Sequence, residues 1–142
     1  MAVEHEEIHV RRGARTGLYI AIAVHSTALG PALGGARLWR YEAPGDAIAD
    51  ALRLSAAMTL KAAAAGLDLG GGKCAVCADG ALDRERRREL MLDLGDAVEQ
   101  LGGRYITAED VGTSSDDMAV VAERTEHVVG LPPERGGRGD PS

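Results

Sequence analysis

The sequence predicts an α/β domain of three layers, α/β/α, with a mostly parallel sheet and an antiparallel N-terminal strand. Two observations carry this. Short apolar stretches rich in β-branched residues alternate with longer stretches of helical periodicity, and strands separated by helices imply right-handed crossovers that cover both faces of a sheet. A third is residue usage: 19 glycines, no phenylalanine and one tryptophan suit a core of small aliphatic side chains with several positions shaped by glycine.

Taken in order, Ile8 and Val10 alternate with His9 and Arg11, the pattern of a half-exposed strand. Its partner is Gly17 to Val24 (GLYIAIAV), a nearly continuous apolar run with three β-branched residues. The segment STALGPALGG, with Gly30, Pro31, Gly34 and Gly35, predicts a loop, followed by a short strand from Ala36 to Tyr41. Asp46, after Pro44 and Gly45, is the expected N-cap of a helix in which Ile48, Ala51, Leu52, Ser55, Met58 and Thr59 recur at helical spacing; it should run to about Ala65 and stop at Gly66. The glycine-rich GLDLGGGK predicts a turn into a strand from Cys74 to Ala78. Asp83 opens a second helix with Leu90, Met91, Leu94, Val98 and Leu101 on one face and Gly102 at its end, which leaves the arginines between Arg84 and Arg88 on a solvated face. Tyr105 to Ala108 reads as a strand, Ser114 with Asp117 as the capping box of a short helix through Met118, Val121 and Ala122, and His127 to Val129 as a last strand. The tail from Leu131 to Ser142 (LPPERGGRGDPS) reads as a loop in which the chain stops.

A length of 142 residues fits one domain of ordinary size, and 45% hydrophobic with 27% charged residues is average globular usage. The formal charge of -6 argues against a general binder of nucleic acid or anionic membrane. No apolar run reaches the roughly 18 to 20 residues a bilayer span needs, and the N-terminus MAVEHEEIHV has neither the basic start nor the apolar core of a secretory signal. Two cysteines make no disulfide scaffold, so a reducing cytoplasm is the expected location.

Three short motifs invite a chemical reading and fail on context. HEEIH, His5 to His9, matches H-E-x-x-H, but the residues after it alternate as a strand and no third ligand follows, so no metal site is assigned. Cys74 and Cys77 form C-x-x-C inside an apparent strand, where an offset of three puts them on opposite faces and predicts two inert thiols. GLDLGGGKC departs from the phosphate-loop pattern at Leu67 and Cys74, and no G-x-G-x-x-G follows a strand, so this chain carries no dinucleotide fingerprint.

The chain has fourteen arginines and only two lysines, Lys61 and Lys73, placed around the glycine-rich segment. Arginine keeps its charge, whereas a desolvated lysine gives up its proton, so a chain that otherwise uses arginine keeps lysine where a titratable amine matters. Codon bias with coincidence accounts for the composition equally well. Lys73 begins a strand beside glycines that let a ligand approach backbone, and Asp110 sits just past the carboxyl end of the Tyr105 strand, the edge where open α/β sheets place ligands. Two amines and a carboxylate at one cleft suit a small substrate that carries a carboxylate and exchanges protons; an ordinary surface ion pair is the competing reading.

His25 to Arg37 (HSTALGPALGGAR), Asp50 to Lys73 (DALRLSAAMTLKAAAAGLDLGGGK) and Gly102 to Met118 (GGRYITAEDVGTSSDDM) together resemble the amino-acid dehydrogenases that act on leucine, valine and phenylalanine, relatives of glutamate dehydrogenase. The resemblance continues through GGRGDPS to Ser142, and so covers nearly the whole chain. It implies an N-terminal domain that binds substrate and mediates homo-oligomer formation, with NAD bound mainly by a Rossmann domain absent from this chain. It also implies reversible oxidative deamination of an L-amino acid to the 2-oxo acid and ammonia. Lys61 matches the lysine that grips the substrate α-carboxylate, assisted by backbone at Gly34 and Gly35. Lys73 matches the lysine of lowered pKa that activates water at the imino carbon, with Lys61 as the cation that favours its neutral form, and Asp110 matches the carboxylate that moves protons at the nitrogen. Leu33 stands where glutamate-specific members carry a lysine, so the implied substrate is apolar, branched-chain or aromatic, in a pocket lined by Leu33 and Ala65.

Two departures qualify the match. Family members are much longer, which leaves a catalytically inactive ligand-binding or oligomerisation module as the alternative. Ala62 stands where members often show a polar residue after Lys61.

Overall fold

Alternation of large and small side chains along two central strands decides how the layers stack. The computed structural model describes residues 3–133, with β1 (Glu7–Arg12), β2 (Tyr19–Ser26), β3 (Ala32–Trp39), α1 (Pro44–Ala64), β4 (Gly70–Cys77), α2 (Arg84–Glu99), β5 (Tyr105–Glu109) and α3 (Ser115–Val121). The sheet order is β1-β2-β4-β3-β5. β3 is parallel to both β4 and β5, whereas β2 is antiparallel to both β1 and β4, so β2 alone runs against the other four. The expected three-layer α/β/α arrangement follows. Ile20, Ile22, Val24, Cys74 and Val76 on one sheet face pack under α2 and α3 with Leu90, Met91, Leu94, Val98, Met118 and Val121. Ala21, Ala23 and Ala75 on the other face meet Ala47, Ala51 and Leu52 of α1.

The alanine face lets α1 come close to the sheet, and the glycines of β4 bring it closer still. The structure corrects two expectations here: Gly70, Gly71 and Gly72 are strand residues of β4 rather than a turn, and Gly34 and Gly35 lie inside β3 rather than in a loop. The space a side chain would need is already occupied. A Cβ on Gly70 would strike the Ser26 carbonyl, one on Gly71 would strike the Thr59 backbone and come 2.6 Å from the Ser55 carbonyl oxygen, and one on Gly72 would lie 2.7 Å from the Tyr105 ring. Composition alone does not distinguish a glycine that bends the chain from one that makes room.

Helix ends follow local chemistry with one exception. Asp83 caps α2 by accepting from Arg86 N at 2.8 Å, and Ser114 and Asp117 form the reciprocal capping box of α3. α1 instead begins after Ala43, with Pro44 in its first turn and no side-chain cap, which places Asp46 inside the first turn. Proline's fixed φ starts the helix without a capping side chain. Gly66 and Gly102 take the left-handed conformation expected just past helix ends, with φ of 71° and 57°. The expected last strand is a single bridge between Val128 and Thr107. The expected tail loop lies, beyond Pro133, outside the described residues.

The remaining motifs sit as their contexts imply. Cys74 faces the α2/α3 layer and Cys77 the α1 layer, and burial pushes both thiols up. His5 Nε2 meets the Leu52 carbonyl at 2.7 Å, whereas His9 lies on β1 against Glu7. Arg86, Arg87 and Arg88 are committed to Asp79, Asp117 and Glu123. Among the described residues no helix is long and apolar enough to cross a membrane.

One buried carboxylate ties the β1–β2 connection to α2. Asp93, fully buried, accepts from Arg15 N and Nη1 and from Thr16 N and Oγ1, all within 3.2 Å. Its removal leaves Arg15 N, Thr16 N and Thr16 Oγ1 without this acceptor, while Arg15 Nη1 keeps Asp96, so Asp93→Ala is expected to cost about 3 kcal/mol in urea unfolding, while exposed Asp68→Ala changes the midpoint little.

Candidate active site

β3 lies between β4 and β5, and the site is built by two side chains that meet across it. Lys73 projects from β4 on the α1 face, in line with Ala75 of the alanine layer. Asp110 follows the last residue of β5. The Lys73 Nζ stands 3.2 Å from Asp110 Oδ1, with the lysine side chain only 6% exposed. The path between them passes over Gly35, where a Cβ would lie 2.7 Å from both Asp110 Cβ and the Glu109 carbonyl oxygen. Glycine at this position is therefore a condition for the pair.

The loop carrying Asp110 is pinned to β3. Thr113 Oγ1 accepts from Asp110 N at 2.9 Å and donates to the Ala36 carbonyl at 2.8 Å, and Leu38 N donates to the Val111 carbonyl at 2.9 Å. On the opposite sheet face the fully buried Tyr105 hydroxyl donates to the Gly34 carbonyl at 2.6 Å. The glycine backbone of β3 is thus fastened from below, beside the acid–amine pair above it.

Arg37 completes the cluster. Its Nε donates to Asp110 Oδ2 at 2.8 Å and its Nη1 lies 3.6 Å from Asp50 Oδ2; Asp50 in turn accepts from the Tyr41 hydroxyl at 2.6 Å. Burial opposes the charge on Asp110, but the Arg37 hydrogen bond and the Lys73 charge outweigh it and hold the carboxyl below the usual aspartate range. Sequence reasoning passed over Arg37 although it stands in the quoted GGAR. Its signal was a cation between Ala36 and Leu38, on the strand face opposite those core residues.

The other predicted residues lie around this pair without bonding to it. Leu33 is half-buried on β3, opposite Gly71 of β4 and Ile106 of β5. Lys61 is exposed in the last turn of α1, with no ion pair among the described residues, and Ala65 is the exposed C-cap. Lys61 lies eleven residues past Asp50, three helical turns, so it shares the flank of α1 that Asp50 turns toward β3. The cation touching the Lys73–Asp110 pair is Arg37 rather than Lys61.

The fold is an open α/β sheet that sets a buried amine against a carboxylate beside bare glycine backbone. Residues 4–127 match the family model of the Glu/Leu/Phe/Val dehydrogenase dimerisation domain. The chain is 46% identical to the leucine dehydrogenase of Bacillus subtilis over 98% of its own length and 48% identical to the valine dehydrogenase of Streptomyces coelicolor over 97%, covering 38% and 37% of those proteins. Its fold superposes on the crystal structure of L-tryptophan dehydrogenase from Nostoc punctiforme with a TM-score of 0.81, at 36% identity, over 89% of this chain and 36% of that one. The chain belongs to the Glu/Leu/Phe/Val dehydrogenase family and corresponds to its N-terminal, dimerisation domain. It spans well under half the length of these relatives.

Gly35→Ala is expected to destabilise the fold by about 2 to 3 kcal/mol and to separate Asp110 from Lys73. Urea unfolding measures the first effect and a crystal structure of the variant the second.

Proposed function

We propose that this domain is the substrate-binding and oligomerisation part of an NAD-dependent dehydrogenase that converts an apolar L-amino acid, branched-chain or aromatic, to its 2-oxo acid and ammonia. The carrying observation is the Lys73 amine, buried and held 3.2 Å from Asp110 beside glycine backbone. A buried primary amine next to a carboxylate is equipped to exchange protons with a bound ligand. In this reading the substrate lies over Gly34 and Gly35, its α-carboxylate directed to Lys61 on the overhanging flank of α1. Lys73, once its own proton has passed to Asp110, takes a proton from the water that adds at the imino carbon, and Asp110 carries protons to and from the departing nitrogen. Leu33 and Ala65 line the side-chain pocket, where an apolar residue leaves a second carboxylate unpaired and so disfavours acidic substrates.

The glycines of β4 are filled in by Ser26, Thr59 and Tyr105 and leave no cradle for a pyrophosphate. We assign NAD binding mainly to a Rossmann domain outside these residues, as the family resemblance implies. The family's dimerisation role supports a homo-oligomer, and two unpaired, inert thiols accord with a reducing cytoplasm.

Because the chain has two lysines, labelling lysine with 13C and 15N gives one resonance set for each. Millimolar L-leucine, L-valine or L-phenylalanine is expected to shift the signals of both Lys61 and Lys73, and L-glutamate neither. Equal response to glutamate, or none to any apolar amino acid, would contradict the proposal. Binding that survives here while the longer protein shows no deamination favours the inactive-module alternative.

A further inference from the structure

Asp110 uses both of its oxygens: Oδ1 faces Lys73 at 3.2 Å and Oδ2 takes the Arg37 Nε at 2.8 Å. An isolated pair would leave the carboxylate free to rotate about its own axis and follow the flexible lysine. The guanidinium is planar and always charged, so it fixes the plane of the group it binds. Arg37 is itself seated. Asp50 lies 3.6 Å from its Nη1, and Asp50 is held by Tyr41 at 2.6 Å and Arg53 at 2.6 Å. A chain of polar contacts therefore runs from α1 through β3 to the site.

We infer that Arg37 is a positioning residue, one that clamps Asp110 by Oδ2 so that Oδ1 stays over Lys73. The inference rests on the reading of Lys73 and Asp110 as the acid–base pair. Arg37 touches no reacting atom in that scheme; it acts through Asp110. The charged groups facing the Asp110 carboxylate are Lys73 from β4 and Arg37 from β3, with Asp50 of α1 behind Arg37. From α2, Arg87 reaches the same loop only at the Gly112 carbonyl, and the Tyr105 hydroxyl lies beneath the sheet.

The test follows the acid-side titration of Asp110 through the signal of labelled Lys73, with Lys61 as internal control. In the unaltered chain the Lys73 signal has an inflection with its midpoint below the ordinary aspartate value of 3.8, and Lys61 has none. In Arg37→Gln the midpoint moves upward, because burial then acts against a carboxylate with one charged partner instead of two. Arg37→Lys, which keeps the charge without the planar fork, restores part of the difference, and Asp50→Asn moves the midpoint upward by less than Arg37→Gln. An unmoved midpoint in a folded Arg37→Gln chain overturns the inference. Should that variant fail to fold, unmoved midpoints in both Arg37→Lys and Asp50→Asn overturn it. A Lys73 signal that ignores Asp110→Asn removes the pair itself, and the inference with it. A midpoint that moves with Arg37 while apolar amino acids leave both lysines unshifted keeps the clamp and sinks the functional reading.

Discussion

The contact on which the site depends is the ion pair between Lys73 and Asp110, formed across an intervening strand. Neither group is easily buried alone, since an unpaired charge removed from water costs far more than a hydrogen bond returns. Lys73, the more deeply buried of the two, therefore requires Asp110, and their contact requires the strand between them to carry no side chain where they meet. Gly35 meets that requirement. Thr113 then pins the loop that delivers the carboxylate, and Tyr105 fastens the glycine backbone from the opposite face.

The same economy of volume shapes the whole α1 layer. One side of the sheet is filled by Ile, Leu, Val and Met under α2 and α3 and supplies most of the apolar burial. The other side is alanine and glycine, which contributes little apolar area but brings α1 near enough for Thr59 and Ser55 to rest on β4. Stability is concentrated on one face, and the other is free to hold polar side chains close to backbone. The Asp93 anchor on the α2 side shows that buried charge is tolerated there only when every oxygen lone pair in reach is used.

Much of this was legible from residues alone. β2, the helices and the Ser114 capping box follow from periodicity and capping chemistry, which are local properties. The glycine segments were not, because Gly34, Gly35 and Gly70 to Gly72 owe their identity to atoms distant in sequence: Gly72, Asp110, Ser26, Thr59 and Tyr105. The start of α1 was displaced because Pro44 sets the backbone that a capping Asp46 was expected to set. Lys73 stood out through the scarcity of lysine and Asp110 through its position past a strand end, and the structure brings them together. Arg37 was hidden among fourteen arginines, and Asp93 inside an apolar helical stripe; both are explained only by partners that the fold supplies.

The proposed function places an amino acid above Gly34 and Gly35 and between the two lysines. A crystal structure of the domain with bound L-leucine tests this most directly. The account predicts the α-carboxylate at Lys61, the α-amino group and α-carbon between Lys73 and Asp110, and the isobutyl group against Leu33 and Ala65. Leucine seated elsewhere on the domain, with Lys73 and Asp110 facing away from it, would contradict it.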